Sequence, residues 1–131
     1  MGVYEDGVLV REISSEEHAS EGLVHILRTF KFEIDGIIYA NGPGSFMGLK
    51  VAYVILRTFC LAKNIKFEAV SGFELNGGAP IRANKAFCFV RGENGEVRLA
   101  KAQAGEFRLP PTLSNLNKSE DVLPNYVIGA V

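Results

Sequence analysis

A glycine-rich turn at residues 42–50, GPGSFMGLK, is the stretch of this sequence whose composition could bind an anion. It lies between an apolar run, IDGIIYAN, and an almost uncharged run, VAYVILRTFCLA, and so joins a predicted strand to a predicted helix. Backbone N–H groups at such a turn, together with the positive end of the helix dipole, can hold a phosphate. Two interpretations are therefore open at this point: a phosphate cradle, or a sharp turn that starts a helix.

The spacing of the glycines does not match the known phosphate motifs. A P-loop requires Gly-x-x-x-x-Gly-Lys-Ser/Thr, whereas Gly44 is followed four residues later by Gly48 and then by Lys50. A dinucleotide fingerprint requires Gly-x-Gly-x-x-Gly, and after Gly42 and Gly44 the third glycine comes one residue too late. The spacing favours a turn in which glycines let the strand reverse sharply and let Gly48 pack closely on a neighbouring helix.

Two histidines and two glutamates on the first predicted helix are the other candidates for metal or acid–base chemistry. His18 and His25 are seven residues apart, which is too far for one tetrahedral metal site without a third ligand between them. Glu17 and Glu21 lie near the start of that helix, where carboxylates complement the helix dipole. These residues are therefore interpreted as polar surface or interface residues, and no metal site is predicted.

The candidate nucleophiles lack the groups that would activate them. Ser45 and Ser71 have no base at a recognisable spacing. Cys60 and Cys88 both lie in apolar runs, which is typical of buried thiols in a cytosolic protein. No catalytic residue is predicted.

Composition excludes two further classes of function. With 131 residues, a net charge of −1 and scattered basic residues, the chain is not expected to bind nucleic acid tightly by itself. Lys50, Arg57 and Lys63 interrupt the longest apolar run, so no membrane helix is expected. The N-terminal sequence MGVYEDGVLV is not a secretory signal, and a cytoplasmic location is expected.

The elements that must position the glycine-rich turn follow a βαβ pattern. Asp-Gly between apolar residues predicts a first hairpin, and Ser14 with Glu17 forms a capping box that predicts a helix start. Apolar periodicity and runs extend the order along the chain. The predicted elements are strands at 3–4 and 8–13, a helix at 15–30, a strand at 36–40, a helix at 45–63 and a strand at 66–70.

Beyond Ser71 the pattern becomes turn-rich and suggests a lobe boundary. Asn94-Gly95 predicts a second hairpin between strands at 86–90 and 97–102. The segment RLPPTLSNLNKSED is expected to be irregular, and residues 126–129 are predicted to form a last short strand.

The second predicted helix is apolar on nearly all sides, which is unusual for a helix that covers one face of a sheet. The sheet can bury one side of it. The other side must face the first helix, a second lobe or another protein, because a large uncovered apolar patch usually marks an interface. The alternative, that the chain covers this helix entirely by itself, stays open.

The turn and several neighbouring segments resemble the TsaB (YeaZ) family, the non-catalytic partners in bacterial tRNA threonylcarbamoyladenosine synthesis. GPGSFMGLK is close to that family's hallmark GPGSFTGLR. ASEGL at 19–23, LAKNI at 61–65 and SGFEL at 71–75 are similar to segments of the same family. The resemblance covers about residues 3–78 and is weak from Ile81 onward.

This resemblance implies an actin-like (ASKHA, ribonuclease H-like) α/β fold. It divides the chain into an N-terminal lobe at 1–78, with two interface helices, and a reduced second lobe at 79–131. It also implies that the two helices pack against two helices of the catalytic subunit TsaD. The expected interface residues are Glu21, Leu23, Val24, Leu27, Phe46, Met47, Gly48, Val51, Ala52 and Ile55, and the hallmark turn is Gly42, Pro43, Gly44 and Ser45.

The expected function is therefore a non-catalytic scaffold of TsaD in tRNA N6-threonylcarbamoyladenosine (A37) modification. The ATPase TsaE is an expected third subunit, tRNA is met only through the complex, and the chain alone is expected to form a homodimer. No cofactor of its own is expected, and ATP or ADP would lie at the interface of the complex. The alternative function is a small nucleotide- or phosphate-binding regulatory domain.

Three departures from the family bear on this expectation. Met47 and Lys50 replace the Thr and Arg of the hallmark. The usual first strand ending in Asp-Thr-Ser is expected to be absent, together with the acidic residue that handles metal and phosphate in actin-like enzymes. ATP turnover by the chain alone is therefore not expected.

Overall fold

The computed structural model describes residues 1–13, 19–30, 33–44 and 46–125. Within them, none of the helices is both long and apolar enough to cross a membrane. The elements in chain order are β1 (Gly2–Glu5), β2 (Val8–Glu12), α1 (Ala19–Phe30), β3 (Gly36–Ala40), α2 (Phe46–Lys63), β4 (Lys66–Val70), a short 3₁₀ helix (Gly72–Leu75), β5 (Ile81–Arg82), β6 (Cys88–Arg91) and β7 (Val97–Ala100).

The first hairpin is confirmed. β1 and β2 pair antiparallel, and the two turn residues Asp6 and Gly7 have φ angles of 52° and 78°. Positive φ at both central residues is the geometry that matches the twist of two adjoining strands, and Asp-Gly is well suited to it. The predicted capping box, Ser14 with Glu17, lies outside the described residues.

The βαβ unit is also confirmed, with strand bounds as predicted. β3 and β4 are parallel and in register from Gly36↔Lys66 to Ala40↔Val70, and α2 is the crossover between them. Asn64, with a φ of 55°, ends α2, because this left-handed conformation stops a helix.

The main core lies where α1 and α2 cover the β3–β4 sheet. The Tyr39 and Phe67 rings contact each other at a centroid distance of 5.0 Å. Tyr39 also donates a buried hydrogen bond from its hydroxyl group to the carbonyl of Val122. The buried members of this core are Leu27, Tyr39, Leu56, Cys60, Phe67, Ala69 and Val122.

A second, smaller core lies beneath the antiparallel sheet β5–β6–β7, where Phe73, Ile81 and Phe89 are buried together. The predicted second hairpin is present, with β6 and β7 paired from Cys88↔Ala100 to Arg91↔Val97.

The segment that follows β7 contains no helix or named strand up to residue 125, as predicted. It forms hydrogen bonds with β2, β4 and other earlier parts of the chain. Leu9 N–H donates to the Pro111 carbonyl over 2.9 Å, and Ala69 exchanges two backbone hydrogen bonds of 2.8 Å with Ser119. The division into lobes at residue 78 stays a prediction, and the strand predicted at 126–129 lies outside the described residues.

Candidate partner-binding surface

The hallmark turn is packed against the chain's own loops. Gly42 is buried and has a φ of 109°, a conformation that favours glycine. A Cβ atom at Gly42 would lie 2.9 Å from Leu49 Cδ1 and 3.0 Å from the Asn125 carbonyl oxygen. The Gly42 carbonyl accepts a 2.9 Å hydrogen bond from Gly72 N–H. Glycine is therefore required at this position so that α2 can begin close to the ends of β3 and β4.

The residues on either side of Gly42 are held in the same way. Asn41 N–H donates to the Val70 carbonyl over 2.9 Å, and its carbonyl accepts from Asn125 N–H over 2.7 Å. Pro43 is buried as well, while a Cβ added to Gly44 would meet nothing within 4 Å. These contacts fix the start and direction of α2. Ser45, the fourth residue of the hallmark turn, lies outside the described residues.

The inner face of α2 belongs to the main core. Leu56 is 5% exposed and Cys60 is 4% exposed. Burial raises the pKa of the Cys60 thiol, although the nearby Arg57 charge acts in the opposite direction. Cys88 is also buried, and its Sγ atom lies 3.2 Å from the Ala102 carbonyl oxygen. Both cysteines are buried thiols, as predicted from their apolar surroundings.

The outer face of α2 is apolar and exposed. Met47, Val54 and Leu61 are 62%, 52% and 67% exposed, and they follow each other at intervals of seven residues. Such spacing places them on one side of the helix along about 21 Å of its length. The exposed residues Lys50 and Arg57 lie between them. We name these five residues the outer stripe.

A groove of about 400 Å³ lies beside the outer stripe, between α1 and α2. Its floor is formed by aliphatic and aromatic side chains, and Arg28 and Lys63 are its charged members. Val54 belongs to both features, so the groove and the outer stripe form one continuous surface. We name this feature the interhelical groove; its lining residues are Val24, Leu27, Arg28, Val54, Ile55, Thr58, Phe59 and Lys63.

The residues expected at the interface are found at several places on the two helices. Val24, Leu27 and Ile55 line the interhelical groove. Leu23 packs against the main core. The side chain of Phe46 lies outside the described part of the structure. The others are exposed or half-buried, namely Glu21, Met47, Gly48, Val51 and Ala52. Whether these residues contact a partner stays a prediction.

The interface residues expected from the sequence do not include several residues of the outer stripe and the interhelical groove. Val54 and Leu61 are exposed, and Thr58 and Phe59 line the groove. No sequence pattern separates Val54 and Leu61 from the buried Leu56, because apolar residues lie on nearly every side of this helix.

The surface offers shape and apolar area rather than reactive groups. His25 is exposed on α1, and His18 lies outside the described residues. Across the described ranges, no three His, Cys, Asp or Glu side chains are close enough to hold a metal ion. What the arrangement can do is bind another apolar surface.

A family model with the description "TsaD: tRNA N6-adenosine threonylcarbamoyltransferase" matches residues 11–116. The chain belongs to this family. The family match confirms the recognition made from the hallmark turn and the ASKHA-type α/β fold class. Among curated proteins, none matches the chain significantly.

The solved structures similar to the chain include the following two. One is YeaZ from Pseudomonas aeruginosa, with 19% identity and a TM-score of 0.46 over 76% of this chain and 51% of that one. The other is described as an uncharacterized protein with similarity to peptidase YEAZ from Pseudomonas aeruginosa, with 22% identity and a TM-score of 0.45 over 72% of this chain and 57% of that one. The chain thus spans a little over half the length of these structures.

Proposed function

We propose that this chain is a non-catalytic subunit that binds the catalytic subunit TsaD during formation of tRNA N6-threonylcarbamoyladenosine at A37. The observation that carries the proposal is the continuous apolar surface made by the outer stripe and the interhelical groove. Membership of the family connects that surface with threonylcarbamoyl transfer to tRNA.

The energetics require both parts of the surface. Full burial of a Leu, Met or Val side chain stabilises by about 1.5–3 kcal/mol. Since Met47, Val54 and Leu61 are already partly covered, burying the rest contributes about 3–5 kcal/mol together. Loss of translational and rotational freedom costs at least about 4 kcal/mol. The stripe alone would therefore bind weakly, and a partner that also fills the interhelical groove would bind tightly.

In this function, TsaD carries out the chemistry and this chain provides a surface that binds TsaD. No pair of nucleophile and base is recognisable around Ser45, Ser71 or the two cysteines. TsaE is the proposed third subunit, tRNA is bound through the complex, and ATP or ADP would lie at an interface of the complex. Without TsaD, the same apolar surface would support a weaker homodimer.

Reconstitution tests this function. The chain, TsaD and TsaE are purified separately and incubated with tRNA, threonine, bicarbonate and ATP, and the modified nucleoside is measured by mass spectrometry. We expect modification only when this chain and TsaD are both present, and stoichiometric binding of the two by calorimetry. Modification by this chain in a TsaD-free preparation, or failure to bind TsaD at micromolar concentrations, would contradict the proposal.

The alternative function is a phosphate- or nucleotide-binding domain that uses the open side of the hallmark turn. The observation in its favour is the free space beside Gly44 at the start of α2. Titration of the isolated chain with ATP separates the two functions. Saturable ATP binding that Gly44→Leu abolishes, with TsaD binding absent, would favour the alternative.

A further inference from the structure

The charges on α2 have one sign. Its sequence from Phe46 to Lys63 contains Lys50, Arg57 and Lys63 but no Asp or Glu. In the described part of α1, Ala19–Phe30, Glu21 is the one carboxylate and Arg28 is basic. A helix with a large exposed apolar stripe therefore carries a surplus of positive charge around that stripe.

Lys50 and Arg57 lie within the outer stripe rather than beside it. From Met47 the stripe follows intervals of three, four, three and four residues, so that apolar and basic residues alternate along one side of the helix. Both basic residues are exposed, and no ion pair among the described residues engages either of them. A partner that covers Met47, Val54 and Leu61 must also contact these two cations.

A second copy of the chain is poorly matched to this pattern. Pairing two outer stripes would bring four cations into one interface, and neither α2 could supply a carboxylate. Like charges brought together at an interface weaken binding and discriminate against the wrong partner. Glu21 on α1 could offset part of this repulsion in an antiparallel arrangement. Within the described parts of α1 and α2, however, each copy carries one carboxylate against four basic residues, Arg28, Lys50, Arg57 and Lys63.

We infer that the outer stripe selects a helix whose apolar residues are flanked by carboxylates facing Lys50 and Arg57, and that it disfavours a second copy. This inference rests on the proposed function and names the chemistry of its partner surface. It also predicts opposite effects of salt: added salt weakens the complex with the acidic partner and strengthens self-association, because salt screens attraction and repulsion alike.

The test uses two synthetic helical peptides that share one apolar stripe, with Glu at the flanking positions of the first and Lys in the second. Their binding to the whole chain is measured by fluorescence anisotropy at low and high salt. We expect the acidic peptide to bind about tenfold more tightly at low salt. The double variant Lys50→Glu, Arg57→Glu should reverse this preference. A double variant with the same change in charge at the β5–β6–β7 sheet, Lys85→Glu in the loop before β6 and Arg98→Glu in β7, should keep it. Equal binding of both peptides to the wild-type chain, or an unreversed preference, would overturn the inference.

Titration with TsaD separates failure of the inference from failure of the proposed function. If TsaD binds the wild-type chain and the Lys50→Glu, Arg57→Glu variant equally and without salt dependence, the inference is wrong and the proposed function stands. If TsaD does not bind the wild-type chain, the proposed function is wrong, and the peptide preference still decides the inference. Sedimentation equilibrium measures the self-association of the chain at low and high salt. A homodimer that weakens as salt is added would contradict the inference.

Discussion

Leu61 and Leu56 lie on nearly opposite sides of α2, so that truncating each to alanine separates binding from folding. They are five residues apart, which corresponds to a rotation of about 140° around the helix axis. Leu61 is 67% exposed on the outer stripe, whereas Leu56 is 5% exposed in the main core. The two variants remove the same atoms from the same helix, and each serves as the control for the other.

The expected magnitudes differ because the surroundings differ. Leu56→Ala leaves a cavity in the core and should lower the free energy of unfolding by about 2–5 kcal/mol. Leu61→Ala should change it by less than about 0.5 kcal/mol. If a partner buries the exposed two-thirds of Leu61, the truncation removes about 1 kcal/mol of binding free energy, which weakens the complex about fivefold.

Urea denaturation measures the first quantity, and calorimetric titration with TsaD measures the second. A folded Leu61→Ala variant that binds TsaD as tightly as the wild-type chain does would contradict burial of the outer stripe by TsaD. A Leu61→Ala variant as destabilised as Leu56→Ala would refute the exposure of the stripe itself.

Three further predictions concern the turn, the core and a buried thiol. Gly48→Ala should keep or raise the melting temperature, since alanine favours a helix by about 1 kcal/mol over glycine. Gly48→Leu should weaken TsaD binding about thirtyfold, because the larger side chain would separate α2 from the partner helix. A folded Gly48→Leu variant with unchanged TsaD affinity would show that no helix approaches closely at this position. Tyr39→Phe should cost about 1–2 kcal/mol in urea denaturation, because the buried Val122 carbonyl loses its donor, and an unchanged unfolding free energy would contradict this contact. Because burial raises the pKa of Cys60 in the folded state, its contribution to stability should be complete below about pH 8.5, the unfolded value, and decline above it. Cys60→Ser should reduce that decline, and an identical pH dependence in the variant would contradict the shift.

The fold near the hallmark turn was predictable because its signals are local. Asp6-Gly7 defines the first hairpin, and polar residues bound the apolar runs that become β3 and β4. The all-round apolar composition of α2 correctly indicated that the sheet leaves one side of it uncovered.

The same composition explains why the candidate partner-binding surface was only partly predictable. When a helix is apolar on every side, periodicity cannot tell its inner face from its outer face, so the exposure of Val54 and Leu61 appears only once Leu56 is known to face the core. Val122 shows a second limit. It comes from an irregular segment, and its place in the main core depends on contacts with residues more than 50 positions away, which no local pattern encodes.

Amide hydrogen exchange of the chain with and without TsaD is the most direct test that the outer stripe and the interhelical groove form the partner-binding surface. Exchange is followed by mass spectrometry on peptides covering α1, α2 and the β6–β7 hairpin. We expect slower exchange in peptides from residues 19–30 and 47–62 when TsaD is bound, and no change in peptides from residues 88–100. Slower exchange confined to residues 88–100, with α1 and α2 unchanged at saturating TsaD, would contradict the account.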